Sequence, residues 1–167
     1  MDKYCFSYNQ IHQTISKTAD KILATNFEPD YILAIGAGGF IPARILRTYL
    51  KKPIITISIA YYDGEQATTA PKKLQWLDCI DISGKKILLV DEVDDTRATL
   101  AYCIQEILTH QPAEIAVFVL HNKHKPKKGA YPTVIKHIFV GEELSDKWIH
   151  YPWDALDIDK HDGRYNE

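Results

Sequence analysis

The sequence contains few cysteines, no long apolar run and almost no net charge. Cys5, Cys79 and Cys103 are far apart and form no CxxC pair, which argues against a disulfide framework and a zinc site. No apolar run approaches the ~18 residues of a membrane-spanning helix, and the N-terminal MDKYCFSYNQ lacks the features of a signal peptide. Twenty Lys and Arg against 22 Asp and Glu leave a net charge of −2. These absences predict a cytoplasmic protein with neither nucleic acid nor membrane as a partner.

The apolar content is sufficient for one compact domain, since 46% of the 167 residues are hydrophobic. Ser7 and Gln10 form a capping box before a helix predicted over residues 8–24. Two further helices are predicted, one with Pro42 in its first turn and one that ends near Leu108. Apolar runs predict strands at 31–35, 54–60, 86–90, 115–120 and 135–140. This alternation indicates an α/β fold with a mostly parallel central sheet flanked by helices.

Two unusual segments follow predicted strands, GAGGF at residues 36–40 and DEVDDTR at residues 91–97. In parallel α/β sheets, ligands bind at the carboxyl ends of the strands, so we expect the chemistry in these two loops. A third segment, residues 61–73, is polar, contains Gly and Pro, and shows no hydrophobic period. It is predicted to be a long loop, and such loops are usually functional or mobile.

The glycine-rich loop matches neither of the common nucleotide-binding motifs. Ile41 stands where a GxGxxG fingerprint needs its third glycine, and the GK[ST] of a P-loop is absent. Two interpretations remain open. The glycines either permit a tight turn and nothing more, or they leave backbone N–H groups bare to bind an anion near the start of a helix.

The acidic loop combines two kinds of ligand chemistry. Four carboxylates stand within five residues: Asp91, Glu92, Asp94 and Asp95. Acids near a helix start complement the helix dipole, but that explanation suits one or two acids and not four. Thr96, Thr99 and the N–H groups of a helix start suit a phosphate. Asp91 and Glu92 suit sugar hydroxyls or Mg²⁺, so a ligand with hydroxyls, phosphate and metal would reconcile both groups.

Three segments together resemble one family, the type I phosphoribosyltransferases. ILLVDEVDDTRATL, residues 87–100, resembles their motif for phosphoribosyl pyrophosphate (PRPP), and ILAIGAGGFIPARIL, residues 32–46, resembles their pyrophosphate loop. DKWIHYPWD, residues 146–154, resembles the purine-binding hood of the 6-oxopurine enzymes, nearest to fungal-type hypoxanthine-guanine and bacterial xanthine-guanine enzymes. The resemblance implies the type I fold as a single domain over residues 1–167, with a hood contributed by about 123–157 and the N-terminal segment.

The resemblance implies an enzyme of purine salvage. Such enzymes use Mg²⁺ to transfer ribose 5-phosphate from PRPP to hypoxanthine, guanine or xanthine, release pyrophosphate, and form homodimers or homotetramers. By resemblance, Asp91 and Glu92 hold the ribose hydroxyls and the metal, and Asp95 is the candidate general base near purine N7. The 5′-phosphate is assigned to Thr96, Arg97, Ala98 and Thr99. Asp94 matches a variable position and receives no role.

The residues assigned to the purine lie later in the chain. Lys123 matches the lysine that donates to the exocyclic O6, with Lys125 as the less favoured substitute. Trp148 aligns with the aromatic residue that stacks on the base, and Ile149 aligns with the residue whose backbone meets the purine edge. Asp154 is assigned to the metal through water, or to the base edge. Hydrophobic packing is the alternative explanation for Trp148, and the companion motifs weigh against it.

The sequence departs from the family pattern at several positions. Ala37 stands where many relatives carry Lys or Arg. The backbone N–H groups that remain for pyrophosphate belong to Ala37, Gly38 and Gly39. Arg97 replaces a glycine of the phosphate loop, and because only Gly freely adopts a positive φ, we expect another loop shape. Arg164 is the candidate for a C-terminal arginine near pyrophosphate, and residues 61–75 correspond in position to the family's flexible catalytic loop.

Two other functions remain open. A non-catalytic regulator that senses PRPP or a nucleotide gains some support from the missing basic residue at Ala37, but it would leave the purine hood idle. A transferase for adenine or a pyrimidine is opposed by Lys123 and Trp148. The basic run at 123–128 could indicate a nucleic-acid patch, but it is short and has no interleaved aromatic residues.

Overall fold

The computed structural model describes residues 3–63 and 66–163, and it describes side chains for 3–60 and 71–163. In chain order the elements are β1 (Lys3–Cys5), α1 (Tyr8–Leu23), β2 (Tyr31–Gly36), α2 (Phe40–Leu50), β3 (Ile54–Asp63), β4 (Gln66–Gln75), β5 (Lys86–Asp94), α3 (Ala98–Leu108), β6 (Glu114–His124), β7 (Ile138–Ser145), β8 (Trp148–His150), a 3₁₀ turn (Pro152–Asp154) and α4 (Ile158–Gly163). Within these residues, no helix is both long and apolar enough to cross a membrane.

The central sheet has the strand order β4-β3-β2-β5-β6-β7. Its neighbouring strands run parallel, except for the antiparallel pair of β3 and β4 at one edge. Helices α1 and α2 pack on one face, where Ile11, Ile15 and Leu46 are fully buried, and α3 packs on the other through Ile104 and Ile107. The predicted α/β class with a mostly parallel sheet is confirmed.

Strands β2, β5 and β6 each contain a continuous buried apolar run, as expected for strands that helices cover on both faces. The predicted capping box of α1 is also confirmed. Ser7 Oγ accepts from the Gln10 N–H at 3.3 Å, while Gln10 Oε1 accepts from the Ser7 N–H at 2.8 Å. These two bonds occupy N–H groups that the first turn of a helix would otherwise leave unpaired.

The prediction of a long loop at residues 61–73 is wrong. Strand β3 continues to Asp63, and β4 spans Gln66–Gln75, so most of this segment forms an antiparallel edge hairpin. An edge hairpin buries less surface than a central strand, so it needs no continuous apolar run. The absence of a hydrophobic period therefore did not indicate an absence of strand.

Three strand boundaries also differ from the prediction. Strand β5 extends to Asp94, so Asp91 and Glu92 belong to the strand and not to a loop. Strand β6 extends to His124 and carries Lys123, while β7 begins at Ile138 rather than at residue 135. The strands therefore continue past their apolar runs, and their polar ends carry the residues of functional interest.

The small second sheet was not expected from the sequence. Strands β1 and β8 pair in parallel, with Tyr4 opposite Ile149 and Cys5 opposite His150. Each strand has three residues, and neither shows the alternation that identifies a half-buried strand. This pairing holds the start of the chain beside the segment that contains Trp148.

Candidate active site

The two segments singled out in the sequence meet at the carboxyl ends of β2 and β5, which are neighbours in the sheet. They enclose a cavity of about 300 Å³. Its lining includes the predicted residues Ala37, Gly38, Asp91, Glu92, Asp95, Thr96, Arg97, Ala98 and Thr99. A volume near 300 Å³ lies at the lower end of the usual range for ligand pockets. The structure therefore joins the predicted pyrophosphate and PRPP segments in one cavity.

Close packing explains the glycines of the first loop. A Cβ atom on Gly38 would collide with the carboxylate of Glu92, and one on Gly39 would lie 2.8 Å from the carbonyl oxygen of Ile35. The Gly39 N–H donates to that same carbonyl at 2.8 Å, so it is already engaged within the loop. The peptide bond between Gly36 and Ala37 is cis. Ala37 and Gly38 are the members of the predicted pyrophosphate trio that line the cavity.

Asp91 and Glu92 form a pair of neighbouring carboxylates near the end of β5. Asp91 is 6% exposed, and burial raises its pKa well above the ordinary value, with the charge of Glu92 acting in the same direction. One backbone bond, from the Glu92 N–H to Asp91 Oδ1 at 3.0 Å, opposes this shift. No ion pair to either carboxylate occurs among the described residues.

The chemistry of this pair fits a divalent cation that is shared with a ligand. The described part of the chain contains no group of three or more His, Cys, Asp or Glu that could hold a metal ion by itself. Mg²⁺ usually keeps several waters and binds through one or two carboxylates together with substrate phosphates. Asp91 and Glu92 line the same cavity as the start of α3, which suits a phosphate. This arrangement matches that mode of Mg²⁺ binding.

Arg97 adopts the left-handed conformation, with a φ of 67°, and it caps the start of α3. The prediction that the loop would avoid a positive φ at this arginine is therefore wrong. Such a conformation costs a non-glycine residue about 1–2 kcal/mol. Side-chain contacts offset that cost: Nε and Nη2 of Arg97 donate to Asp94 Oδ2 at 2.9 and 2.7 Å, and the guanidinium lies 4.1 Å from the centre of the Tyr131 ring.

Asp95 lies between two lysines. Lys125 Nζ is 3.0 Å and Lys123 Nζ 3.5 Å from Asp95 Oδ1, and both lysines also approach Asp146. Partial burial raises the pKa of Asp95, but the hydrogen bonds and charges of Lys125 and Lys123 outweigh it, so the net pKa is lower than usual. Hydrogen bonds to Asp95 and Asp146 in turn raise the pKa of Lys125. This cluster brings the predicted base and the predicted O6 donor together.

The remaining purine residues lie outside the 300 Å³ cavity. Trp148 is 63% exposed on β8, and the adjacent Ile149 is buried. Asp154 is exposed and lines a different depression with His150 and His161. Arg164 lies outside the described residues, as do the side chains of Tyr61 and Tyr62 in the predicted catalytic loop. The structure thus places the assigned residues in two neighbouring groups rather than in one pocket.

Tyr151 connects these two groups. Its hydroxyl donates to the carbonyl oxygen of Glu92 at 3.3 Å and lies 2.8 Å from Nδ1 of His121. Because the hydroxyl has one hydrogen, His121 is the donor in the second bond, which requires a proton on Nδ1. Burial lowers the pKa of His121 to about 4.

Asp94, Lys127 and Tyr131 are residues near the site that the sequence analysis missed. Asp94 is 1% exposed, and Lys127 Nζ donates to the backbone carbonyls of Asp94 and Asp95 at 2.7 and 2.9 Å. The partners are more than 30 residues apart along the chain, so no local pattern could have indicated them. The conformation of the predicted phosphate loop therefore depends on a segment that follows β6.

Comparison with known proteins identifies the family. The family model of the phosphoribosyl transferase domain matches residues 7–157. The chain is 45% identical to hypoxanthine-guanine phosphoribosyltransferase of Schizosaccharomyces pombe, over 94% of this chain and 91% of that protein. It is 38% identical to xanthine phosphoribosyltransferase 1 of Saccharomyces cerevisiae, over 96% and 93%.

A solved structure is similar along nearly the whole chain. A Neisseria gonorrhoeae protein crystallised with bound ppGpp superposes with a TM-score of 0.91 at 43% identity, covering 99% of this chain and 98% of that one. The matching family model and the relatives above 30% identity agree with the three motifs and with the cavity that two of them form. The chain therefore belongs to the phosphoribosyl transferase family.

Proposed function

We propose that this chain is a purine salvage enzyme that transfers ribose 5-phosphate from PRPP to a 6-oxopurine and releases pyrophosphate. The observation that carries the proposal is the single cavity in which a carboxylate pair, a helix start and a tight glycine loop meet. These groups suit ribose hydroxyls, a 5′-phosphate and a pyrophosphate, the three polar parts of PRPP. The relatives from Schizosaccharomyces pombe and Saccharomyces cerevisiae, named for hypoxanthine, guanine and xanthine, support the choice of purine.

The PRPP end of the reaction is assigned to the strand end and the start of α3. Asp91 and Glu92 accept hydrogen bonds from the ribose hydroxyls and hold Mg²⁺, partly through water. Held by these carboxylates, Mg²⁺ would supply positive charge next to the departing pyrophosphate. The 5′-phosphate lies against Thr96, Ala98 and Thr99 at the start of α3, where a helix presents unpaired N–H groups.

The purine end of the reaction is assigned to the lysine cluster and β8. Asp95 accepts the proton of purine N7, and a lysine donates to O6. Lys125 is as strong a candidate for this O6 donor as Lys123, because its Nζ lies closer to Asp95, at 3.0 Å against 3.5 Å. Trp148 stacks on the base, Ile149 offers its backbone to the purine edge, and Asp154 contacts the metal through water or the edge of the base.

A substrate panel tests the proposal. The protein is incubated with PRPP, Mg²⁺ and hypoxanthine, guanine or xanthine in turn, and nucleoside monophosphate and pyrophosphate are quantified. We expect both products in equal amounts from at least one oxopurine, and none when PRPP is omitted or EDTA is added. Adenine and orotate serve as control bases. Turnover of adenine or orotate alone would replace the 6-oxopurine assignment with another one.

The ppGpp-bound relative favours a second role for the same cavity. We propose that ppGpp, a guanine nucleotide with two pyrophosphate groups, binds this chain in competition with PRPP. Titration calorimetry with ppGpp, followed by inhibition kinetics at several PRPP concentrations, tests this role. Competitive inhibition supports it, and inhibition that does not depend on PRPP concentration contradicts it.

A regulator without catalysis would give a different pattern. It would bind PRPP or ppGpp, release no pyrophosphate with any base, and bind RNA or DNA with an affinity that falls steeply with salt. The assembly into a homodimer or homotetramer remains a prediction, as does the cytoplasmic location. Light scattering coupled to gel filtration measures the mass of the assembly directly.

A further inference from the structure

Asp94 is the centre of a buried network behind the phosphate loop. It is the last residue of β5 and 1% exposed. Arg97 donates twice to Oδ2, and the Tyr131 hydroxyl lies 3.2 Å from the same oxygen. Oδ1 accepts no hydrogen bond from the described residues, but it lies 3.4 Å from Lys127 Nζ. We call these four residues, Asp94, Arg97, Lys127 and Tyr131, the loop brace.

Two of the three nitrogens of the Arg97 guanidinium donate within the brace. Nε and Nη2 both contact Asp94, and the plane of the group lies over the Tyr131 ring at 4.1 Å. The side chain is 18% exposed. A buried carboxylate that loses its partner is left with an uncompensated charge, so the pair resists separation. The arginine is therefore poorly placed to leave Asp94 and donate to a phosphate.

The same segment also holds the backbone of the loop. Lys127 Nζ donates to the carbonyl oxygens of Asp94 and Asp95, and the N–H of Lys128 donates to the carbonyl oxygen of Thr96 at 2.8 Å. Three successive carbonyl groups, followed by the side chain of Arg97, are thus tied to residues 127–131. The next residues of the chain, Ala98 and Thr99, line the cavity.

We propose that Arg97 is a positioning residue, which holds the left-handed turn before α3 through Asp94 and Tyr131 and does not itself bind the 5′-phosphate. This inference rests on the proposed function, because the ligand of the loop is taken to be PRPP. It explains why an arginine stands where the family usually has glycine. The contacts to Asp94 and Tyr131 provide the conformation that glycine would adopt without strain.

Two single variants and their combination test the inference. Arg97→Gly keeps the freedom to adopt a positive φ and removes the guanidinium, so any loss comes from the side chain. Asp94→Asn keeps the arginine and weakens its anchor. We expect each variant to raise the KM for PRPP about tenfold with a much smaller change in kcat, as expected for binding that ground state and transition state share. The double variant should be no worse than the poorer single one, because both remove one interaction.

The effect of Asp94→Asn separates positioning from direct binding. If Arg97 were a phosphate ligand, releasing it from Asp94 would leave the KM for PRPP unchanged or lower it, while Arg97→Gly would still raise it. That pair of results overturns the inference. Arg47→Ala, which removes one charge from the exposed last turn of α2, is the control for net charge.

Hydrogen exchange provides a readout that does not require turnover. We expect the amides of residues 96–99 to exchange faster in both variants than in the wild type, while the amides of α1 are unchanged. Equal exchange in all three proteins overturns the brace, even if the KM changes. If the variants exchange faster but the wild-type protein makes no nucleotide, the brace is supported and the proposed transferase activity is rejected.

Discussion

The two halves of the site are built differently. The phosphate side, which comprises residues 91–99, the loop at 36–39 and the segment 127–131, is dense with hydrogen bonds, and most of its residues are half-buried. The base side, which comprises β8 and the residues up to Asp154, rests on a two-stranded sheet and exposes 63% of Trp148. A ligand is therefore expected to meet a preformed pocket at one end and an open aromatic surface at the other.

This difference separates the expected consequences of mutation. On the phosphate side, most groups contact other groups of the protein, so a substitution changes geometry as well as ligand binding. On the base side, an exposed side chain can be removed with little effect on stability, because it makes few contacts within the protein. The effects on turnover, on KM for each substrate and on stability therefore test whether the division is real.

The largest effect is expected for Asp91→Asn combined with Glu92→Gln. Both residues are assigned to the ribose hydroxyls and the metal, so we expect kcat/KM to fall by about a thousandfold or more, similar to the loss of preorganised charge stabilisation at other active sites. The fold should persist, since the change removes repulsion between two adjacent carboxylates, neither of which forms an ion pair with a described residue. Steady-state kinetics and thermal unfolding measure the two outcomes. Wild-type turnover in the variant would show that the pair is misassigned.

A smaller loss is expected for Gly38→Ala. A Cβ at this position would collide with the carboxylate of Glu92, so the side chain or the loop must move. A displacement of about 1 Å at a reacting centre can cost about 100-fold in rate. We expect a decrease of that order in turnover, measured with saturating purine and varied PRPP.

The matched control is Gly163→Ala in α4, where an added Cβ meets no atom within 4 Å. It should retain the wild-type kinetics. If Gly38→Ala behaved in the same way, the close approach between the glycine loop and Glu92 would have no role in the reaction.

Trp148→Ala should affect only the base side. Stacking on a base contributes about 1–3 kcal/mol, so the KM for the purine should rise at least about fivefold. The KM for PRPP and the melting temperature should remain close to those of the wild type. Leu156→Ala, at another exposed apolar side chain of the same region, is the control. A large loss of stability in Trp148→Ala would support hydrophobic packing as the role of the tryptophan.

The same division explains which parts could be predicted from the sequence. Asp91 and Glu92 directly follow four apolar residues of a buried strand, and a helix starts a few residues later. The strand, the acidic residues and the helix start could therefore be predicted from one continuous stretch of sequence. The loop at residues 36–40 could be predicted in the same way, because it directly follows the apolar residues of another buried strand. In a parallel sheet the carboxyl ends of neighbouring strands lie on one edge, so the meeting of the two loops followed from the predicted topology.

The missed features depend on contacts between distant parts of the chain. The partners Asp94 and Tyr131 are 37 residues apart, and β1 pairs with a strand at the other end of the chain. The positive φ of Arg97 was not expected because the sequence does not show the buried carboxylate that stabilises it. Tertiary contacts outweighed the backbone preference of that residue, and the edge hairpin similarly formed without a hydrophobic period.

The smallest effect concerns His121, which lies between the two sides. Its side chain stacks between Phe6 and Tyr151, and the Tyr151 hydroxyl reaches the backbone of Glu92. Burial lowers the pKa of His121 to about 4, whereas a histidine in an unfolded chain titrates near pH ~6.5. The unfolded state therefore binds a proton first as the pH falls.

The sign of the pH dependence follows from this order of protonation. The contribution of His121 to stability is complete above pH ~6.5 and is lost as the pH falls toward 4, by at most about 3 kcal/mol. Urea unfolding of the wild type and of His121→Gln should therefore give stabilities that converge from pH 7 to 4.5. Tyr151→Phe should keep the wild-type slope, since burial and not the hydroxyl lowers the pKa. Parallel curves for wild type and His121→Gln would mean that His121 is hydrated, and that the connection between the two sides is looser than its contacts indicate.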